Sequence, residues 1–562
     1  MNRHESSPPA ATPRRRRLRF AAGALAAALV VTACGAGSST QPASTAPATT
    51  ATATTDGQAT AGQASNGAGG GSVGSQPGAG ASGSDGSAAP APSGDPNATL
   101  NVGFVAAPAS LDFTQDSGAA IPQALLYNVY ETLVRMTPTG EIAPLLASKW
   151  TVSDDQKVYT FTLRDNAKFS NGAAFTAEDA VFSINRVKSD WAKTVAVAQG
   201  MSTVAKAEAV NPTTLRVTLT KPSQSWLFSM TTRIGAMFSR TGVAELATKA
   251  VGTGPYLVSA NQPNVKLTLT RNPDYWGTKA GMQTVNFMYY KDPTAMNNAE
   301  LSRAINVISS VQTPDQLDQF GDTAKYQIIE GTTTGEVLLS FNNSKAPLNN
   351  KNVRQAISYA IDRKGLLDTV WAGKGALIGS HAVPTDPWYT DLANTYPYDP
   401  AKAKELLGGK TYTLRLRVPN LPYATAAAPV IASQLQQVGI TVKVDTLDFP
   451  ADWLTQVFTN ADYDMSIVNH VEPNDLATLW GNPEYYTRYD NPEVQKLLAD
   501  GDAGTRDQMI ADYRKATEIL ADDAAGVWLW AFPNLLVADV DVKGLAKNQV
   551  SESFDLTGVS VG

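Results

Sequence analysis

From Gly35 to about Pro96 the chain is built almost wholly of alanine, glycine, serine, threonine and proline. Such a stretch has too little apolar surface to offset the entropy of ordering it, so disorder is expected there. As a flexible coil of about 60 residues it would span about 40–45 Å. Two readings stay open for it: a tether that lifts the folded part off a surface, or a spacer without a tuned length. Order is expected to begin near Ala98, and the rest of the 562-residue chain is still too long for one ordinary domain.

What precedes the stretch reads as an export signal. Arg14 to Arg17 and Arg19 are positive, and Phe20 to Val31 is apolar. That run is shorter than the roughly 20 residues a membrane-spanning helix needs, and it fits a signal peptide. It ends at Val31-Thr32-Ala33-Cys34, which resembles the lipobox of bacterial lipoproteins. The resemblance implies a diacylglycerol on the Cys34 sulfur and cleavage before it, with the acyl chains holding the protein to a membrane. The alternative is a lone cysteine at the end of a plain signal peptide. Cys34 is the single cysteine in the chain, so an internal disulfide and any CxxC metal or redox motif are excluded.

Charge narrows the partners. With 45 Lys plus Arg against 51 Asp plus Glu, the chain has no basic surplus to neutralise a phosphate backbone, and nucleic acid is not an expected partner. The three histidines are His4, His381 and His470; those in the body of the chain have no neighbouring cysteine, so neither a structural zinc site nor any other metal or cofactor is expected. Gly409-Lys410-Thr411 looks like the end of a phosphate-binding loop, but Lys404 stands where that loop needs a glycine. No G-x-S-x-G elbow occurs in the ordered part, and pairs such as Asp154-Asp155 and Asp522-Asp523 read as solvated turn or helix-end residues. No catalytic constellation emerges.

Beyond Ala98, strand and helix signals mix without an internal repeat, an α/β pattern without strict βαβ regularity. Leu100–Phe104, Tyr159–Leu163, Leu215–Leu219 and Leu267–Leu269 read as strands. Thr176 to Asp179 reads as a capping-box variant, and Thr505 with Gln508 as a capping box. Val353, Ile357, Ala360, Ile361 and Leu367 suggest the face of one helix ending before Gly373. Asp399-Pro400 opens a helix that Gly408 closes, and a helix over 425–438 leads into a strand at Ile440–Leu447. Trp528 and Trp530 alternate with other apolar residues, as in a strand packed on both faces.

A dozen short segments, in order across about 98–540, resemble the large extracellular solute-binding proteins of peptide-type ABC importers, solute-binding family 5. They include Leu111-Asp112, Tyr130 to Val134, Pro144 to Trp150, Thr160 to Arg164, Lys168 to Gly172, Gly252 to Tyr256, Arg271 to Trp276, Phe341-Asn342, Val353 to Ala356 and Ala360 to Arg363. The resemblance implies a two-lobe fold like that of periplasmic binding proteins, of type II and the large cluster C kind, with an extra inserted subdomain. The expected organisation is a signal peptide over 1–33, a tether over 34–97, a first lobe from 98–142, 251–335 and 526–562, an inserted subdomain over 143–250, and a second lobe over 336–525. Hinge strands are expected near 335–340 and 522–530.

The resemblance also implies a role. The protein would sit on the outer face of the cytoplasmic membrane as a monomer, close its lobes on a small ligand, and pass that ligand to an ABC permease driven by an ATPase, with no bond chemistry of its own. A peptide is the expected ligand; an oligosaccharide, a metal chelate, a secreted hydrolase, and a sensor or adhesin on the same fold are the rival readings. In many relatives an Asp followed by an aromatic in the second lobe holds the peptide's ammonium group. That pair is missing from the segment after Tyr463-Asp464, where Glu472 is the first candidate by position and Asp475 the second. His470 and Asn469 lie in the same segment, and Ser117, Trp371 and Trp388 are cleft candidates by lobe position. Each has a plain alternative: a solvent-facing loop for Glu472, a packed loop residue for His470, core for both tryptophans.

Overall fold

The computed structural model describes residues 93–112, 119–189, 200–449 and 451–562. The export signal, Cys34, most of the Gly/Ser/Ala stretch and Ser117 lie outside the described residues.

Among the described residues, ten strands form one mixed sheet. Their order is Ile440–Leu447, Tyr412–Pro419, Met465–His470, Tyr326–Phe341, Gly526–Asp539, Val307–Ile308, Thr99–Phe104, Thr284–Tyr289, Lys266–Arg271 and Tyr256–Gln262. Two separate apolar cores lie along it. One gathers Leu100, Val102, Phe104 and Phe287 with Leu536, Ala538 and Phe554. The other gathers Val337, Leu339, Phe341, Ile431 and Trp530, and on the opposite face Leu338 and Trp528 pack with Trp480 and Tyr513. Because both faces of the central strands are covered, they read in sequence as continuous apolar runs rather than as alternation. Trp528 and Trp530 are packed on both sides, as expected.

Tyr326–Phe341 and Gly526–Asp539 run antiparallel and serve both cores. Val527 to Ala531 belong to the second core, and Leu536 and Ala538 to the first. Between them the register shifts: Thr332 faces Pro533, and pairing resumes at Glu336 with Ala531. Pro533 has no N–H to donate, so a ladder cannot be continuous there. The loosened backbone is held by side chains. Thr333 Oγ1 donates to the Phe532 carbonyl at 2.7 Å and accepts from Gly335 N at 2.9 Å, and Thr332 N donates to Asn548 Oδ1 at 3.0 Å. A side chain at Gly331 would lie 1.8 Å from the Lys547 carbonyl, so that position must be glycine.

A third core sits on a separate four-stranded sheet, Ala147–Val152, Val158–Leu163, Thr214–Leu219 and Val204–Asn211, covered by helix Ala177–Lys188. Asp179 accepts from the Thr176 N–H at 3.0 Å at the start of that helix. Other local signals fall where the sequence puts them. Asp399 Oδ1 accepts from Lys402 N, and Gly408 takes φ +59° to end helix Pro400–Leu407. Helix Pro422–Gln437 leads into strand Ile440–Leu447.

Two expectations need correction. The face from Val353 to Leu367 belongs to two helices, Lys351–Ala360 and Arg363–Trp371, because Asp362 caps the second by accepting from Gly365 N at 2.9 Å. Thr505 caps its helix, but the Gln508 side chain turns to Asp512, so the reciprocal half of the box is absent. Gly252 and Gly254 pack closely where the chain bends into strand Tyr256–Gln262: a Cβ on Gly252 would lie 1.8 Å from the Val129 carbonyl.

The third core is tied to the second by one carboxylate. Asp502, in helix Pro492–Ala503, accepts from Ser225 N at 2.8 Å and from the Ser223 hydroxyl at 3.0 Å, at the start of helix Gln224–Ser229. Gln224 Nε2 donates to the Gly504 carbonyl at 2.9 Å beside it. Replacing Asp502 with Ala should lower unfolding stability by about 1–2 kcal/mol, the usual worth of a cap. Urea denaturation measures it, and an unchanged midpoint would mean the contact is slack in solution.

Candidate functional site

The strand break lies beside a buried cluster of charge. Glu336, the first residue of the restored ladder, sits opposite His470 on the neighbouring strand. His381 lies between Glu336 and Asp475: its Nδ1 is 2.7 Å from Glu336 Oε2 and its Nε2 is 2.7 Å from Asp475 Oδ1. Burial alone would lower the His381 pKa, but the two carboxylates outweigh it and raise it to about 10. The ring is therefore held as a cation at neutral pH, its Nε2 donating to Asp475 and its Nδ1 edge paired in charge with Glu336. Glu336 is raised by burial, while His381 and the Trp528 indole pull it back down.

His470 behaves oppositely. It is buried, its Nε2 lies 2.8 Å from the Tyr486 hydroxyl, and its pKa is pushed down to about 4, chiefly by burial. A neutral ring results. Its Nδ1 is 3.8 Å from Asp475 Oδ2, too long for a hydrogen bond. Asp475 Oδ2 is buried and meets no donor among the described residues.

Glu336, His381 and Asp475 line a small pocket with Thr334, Asp386, Glu472 and Asn474. It has room for one water-sized group, about 10 Å³. Burial pushes Asp386 up to about 7, against the Val383 N–H that hydrogen-bonds to it. Glu472 is exposed to solvent, yet its carboxyl is raised, first by desolvation and then by Asp475. The next charges that Glu472 feels are Arg233 and Glu552, from the part of the chain that carries the other cores.

The pocket is thus rich in acceptors. One cation, His381, stands among the carboxylates of Glu336, Asp475, Glu472 and Asp386, which leaves a negative balance and an unsatisfied Asp475 oxygen. A small group with several N–H donors and a positive charge satisfies that chemistry, as an ammonium does. The donors present among the described residues do not form a metal-binding group of three or more side chains.

Of the residues singled out from sequence, Glu472, Asp475 and Trp388 line this pocket, and His470 packs against it. Asn469 is half-buried beside the strand break, its Oδ1 without a donor among the described residues. Trp371 is core, packed on Phe532 with ring centres 5.1 Å apart. Sequence reasoning passed over His381, Glu336 and Asp386. His381 carried one usable signal, as one of two histidines in the body of the chain. Glu336 carried none, being an acid inside an apolar strand.

Known proteins supply an independent comparison. The profile for the middle region of the bacterial extracellular solute-binding proteins, family 5, matches residues 141–499. The probable D,D-dipeptide-binding periplasmic protein DdpA of Escherichia coli is 29% identical over 502 residues, covering 83% of this chain and 95% of that one. The nickel-binding periplasmic protein of Escherichia coli is 29% identical over 300 residues, 51% of this chain and 56% of that one. Among solved structures, the periplasmic binding protein DppA from Helicobacter pylori in complex with the peptide STSA superposes with a TM-score of 0.73 at 25% identity, over 83% of this chain and 98% of that one. The fold is the two-lobe α/β fold of type II periplasmic binding proteins, as the sequence motifs implied.

The charge cluster has a thermodynamic signature. Folding makes the His381 imidazole more basic, so its stabilisation is complete below the free ring's 6.5 and is lost as pH rises through about 10. Removing the ring in His381→Ala should cost about 3–5 kcal/mol near pH 6, because two buried carboxylates lose their cation. It should also flatten the fall in stability between pH 6.5 and 10. Denaturation across that range checks both; a variant profile parallel to the parent would show that the ring is not charged.

Proposed function

The chain belongs to the bacterial extracellular solute-binding proteins of family 5, and from that premise we propose that it is the receptor of an ABC importer, closing two lobes on a peptide whose amino-terminal ammonium enters the acidic pocket. The observation that carries this reading is the buried Asp475 oxygen that meets no donor, in a pocket of carboxylates with room for one small cationic group. Strand-like pairing with the peptide backbone would make binding tolerant of side chains. The two lobes pivot at the strand break, near 331–336 and 531–534, and the protein performs no bond chemistry. Its partners are a permease and an ATPase, and it acts as a monomer.

In this reading Asp475 is the principal ammonium acceptor, oriented by His381, and Glu472 adds negative potential at the mouth. The organisation proposed is that expected from sequence, with a first lobe over 98–142 and 251–335, an inserted subdomain over 143–250 and a second lobe over 336–525, except that the first lobe resumes only after Ala531, because Val527 to Ala531 pack in the second core. Lipidation at Cys34 after removal of 1–33 holds it at the outer face of the cytoplasmic membrane, with 34–97 as the tether.

Titration of the purified protein with di- to pentapeptides, followed by tryptophan fluorescence or calorimetry, tests the ligand class. Asp475→Asn should weaken binding about 10- to 100-fold, the worth of a charge-assisted hydrogen bond. No response to any peptide in that range would overturn the reading. For the anchor, Cys34→Ser should move the protein from the membrane fraction to the soluble one; retention in the membrane would contradict lipidation at that sulfur.

A further inference from the structure

Helix Pro492–Ala503 carries an acid at the end where its own dipole disfavours one. Asp502 stands in the last turn, beside the negative pole of the helix, and no basic residue of that turn offsets it. The carboxylate serves another body instead. It accepts from Ser225 N at 2.8 Å and from the Ser223 hydroxyl at 3.0 Å, in the part of the chain that builds the third core. Gln224, between the two serines, spans the same gap. Its amide nitrogen donates to the Gly504 carbonyl at 2.9 Å and, on its own side, to Gln156 Oε1 at 2.8 Å.

Helix Gln224–Ser229 already has a cap of its own, because Ser223 Oγ accepts from Trp226 N at 3.2 Å. Asp502 is thus a second acceptor, brought in from 277 residues away. Both sides of the contact are stiff. Trp226 is sealed in the third core, its ring centre 4.8 Å from that of Tyr159. Across the seam, Val494 and Leu498 pack in the core of Trp480 and Tyr513, and a Cβ on Gly501 would stand 3.2 Å from the Tyr513 ring. The two cores have no member in common. Hydrogen bonds alone of this kind can be exchanged for water without baring apolar surface.

A contact between two bodies that lies away from their pivot must part when the bodies swing open. We propose that Ser223, Gln224 and Ser225 with Asp502 and Gly504 form a clasp, made in the closed form and broken in the open one, so that the inserted subdomain is the catch that sets how long a captured ligand stays. This rests on the two-lobe closure proposed above and extends it to residues that act through closure rather than through the ligand. A clasp favours the closed form alone. It therefore slows release and leaves capture, which starts from the open form, as it was. Asp502 is a positioning residue in this scheme.

Stopped-flow tryptophan fluorescence of the full chain with trialanine reads capture and release separately. Asp502→Ala should speed release about tenfold or more, the worth of a hydrogen bond to a charged group, with the association rate within about twofold of the parent's. Gln224→Ala should speed release about threefold, the worth of a neutral hydrogen bond, and it carries the test if Asp502→Ala fails to fold. A merely structural contact would change stability and neither rate, so an unchanged release rate in the folded variants would overturn the clasp.

If no peptide binds, the peptide reading falls, and the clasp is still read in the free protein. Spin labels at Lys206→Cys, on strand Val204–Asn211, and at Lys496→Cys, on helix Pro492–Ala503, with Cys34→Ser, report the distance across the seam. Asp502→Ala should deplete the shorter distances. The same distribution in parent and variant would overturn the clasp.

Discussion

The antiparallel pairing of Tyr326–Phe341 with Gly526–Asp539 is the constraint on which the rest of the molecule depends. Each strand gives its apolar side chains to one core at one end and to another core at the other end. The cores are therefore joined by backbone hydrogen bonds rather than by a greasy interface. The pairing is deliberately imperfect at its centre. Pro533 removes a donor, and Thr333, Thr332 and Gly335 rebuild the local bonds with side chains. A ladder interrupted there can bend without exposing either core, which is what a hinge requires.

The site grows out of that interruption. Glu336 ends the irregular segment and enters the ladder with its carboxylate buried against His381. His381 in turn holds Asp475, so the acidic pocket is indexed directly to the strand break. The imidazolium resolves a conflict that would otherwise forbid the arrangement, since unpaired buried carboxylates would take up protons and lose their charge. With one cation between two anions, an additional acceptor oxygen remains for a ligand.

Much of the fold was legible in the sequence, because short segments carry local physics. Asp399-Pro400 and Gly408 bound a helix, and the strands at 159–163 and 215–219 alternate cleanly. The helix over 353–367 was misread because its apolar spacing continues across Asp362, whose capping role depends on the turn it starts. The site was less legible. Asp475 and Glu472 stood out only because a segment of known position lacked its usual acid. His381, Glu336 and Asp386 come from three separated stretches, and their function lies in being brought within hydrogen-bond reach, which periodicity does not encode.

The central claim is that two bodies pivot about the strand break and close on a peptide. Pulsed electron resonance between spin labels on Lys206→Cys and Lys496→Cys, with Cys34 replaced by Ser, measures it most directly; both lysines are well exposed, one on the inserted sheet and one on the second body. A broad distribution of distances without peptide that collapses to one shorter distance with trialanine is the predicted result. The same distribution with and without a bound peptide would contradict the account.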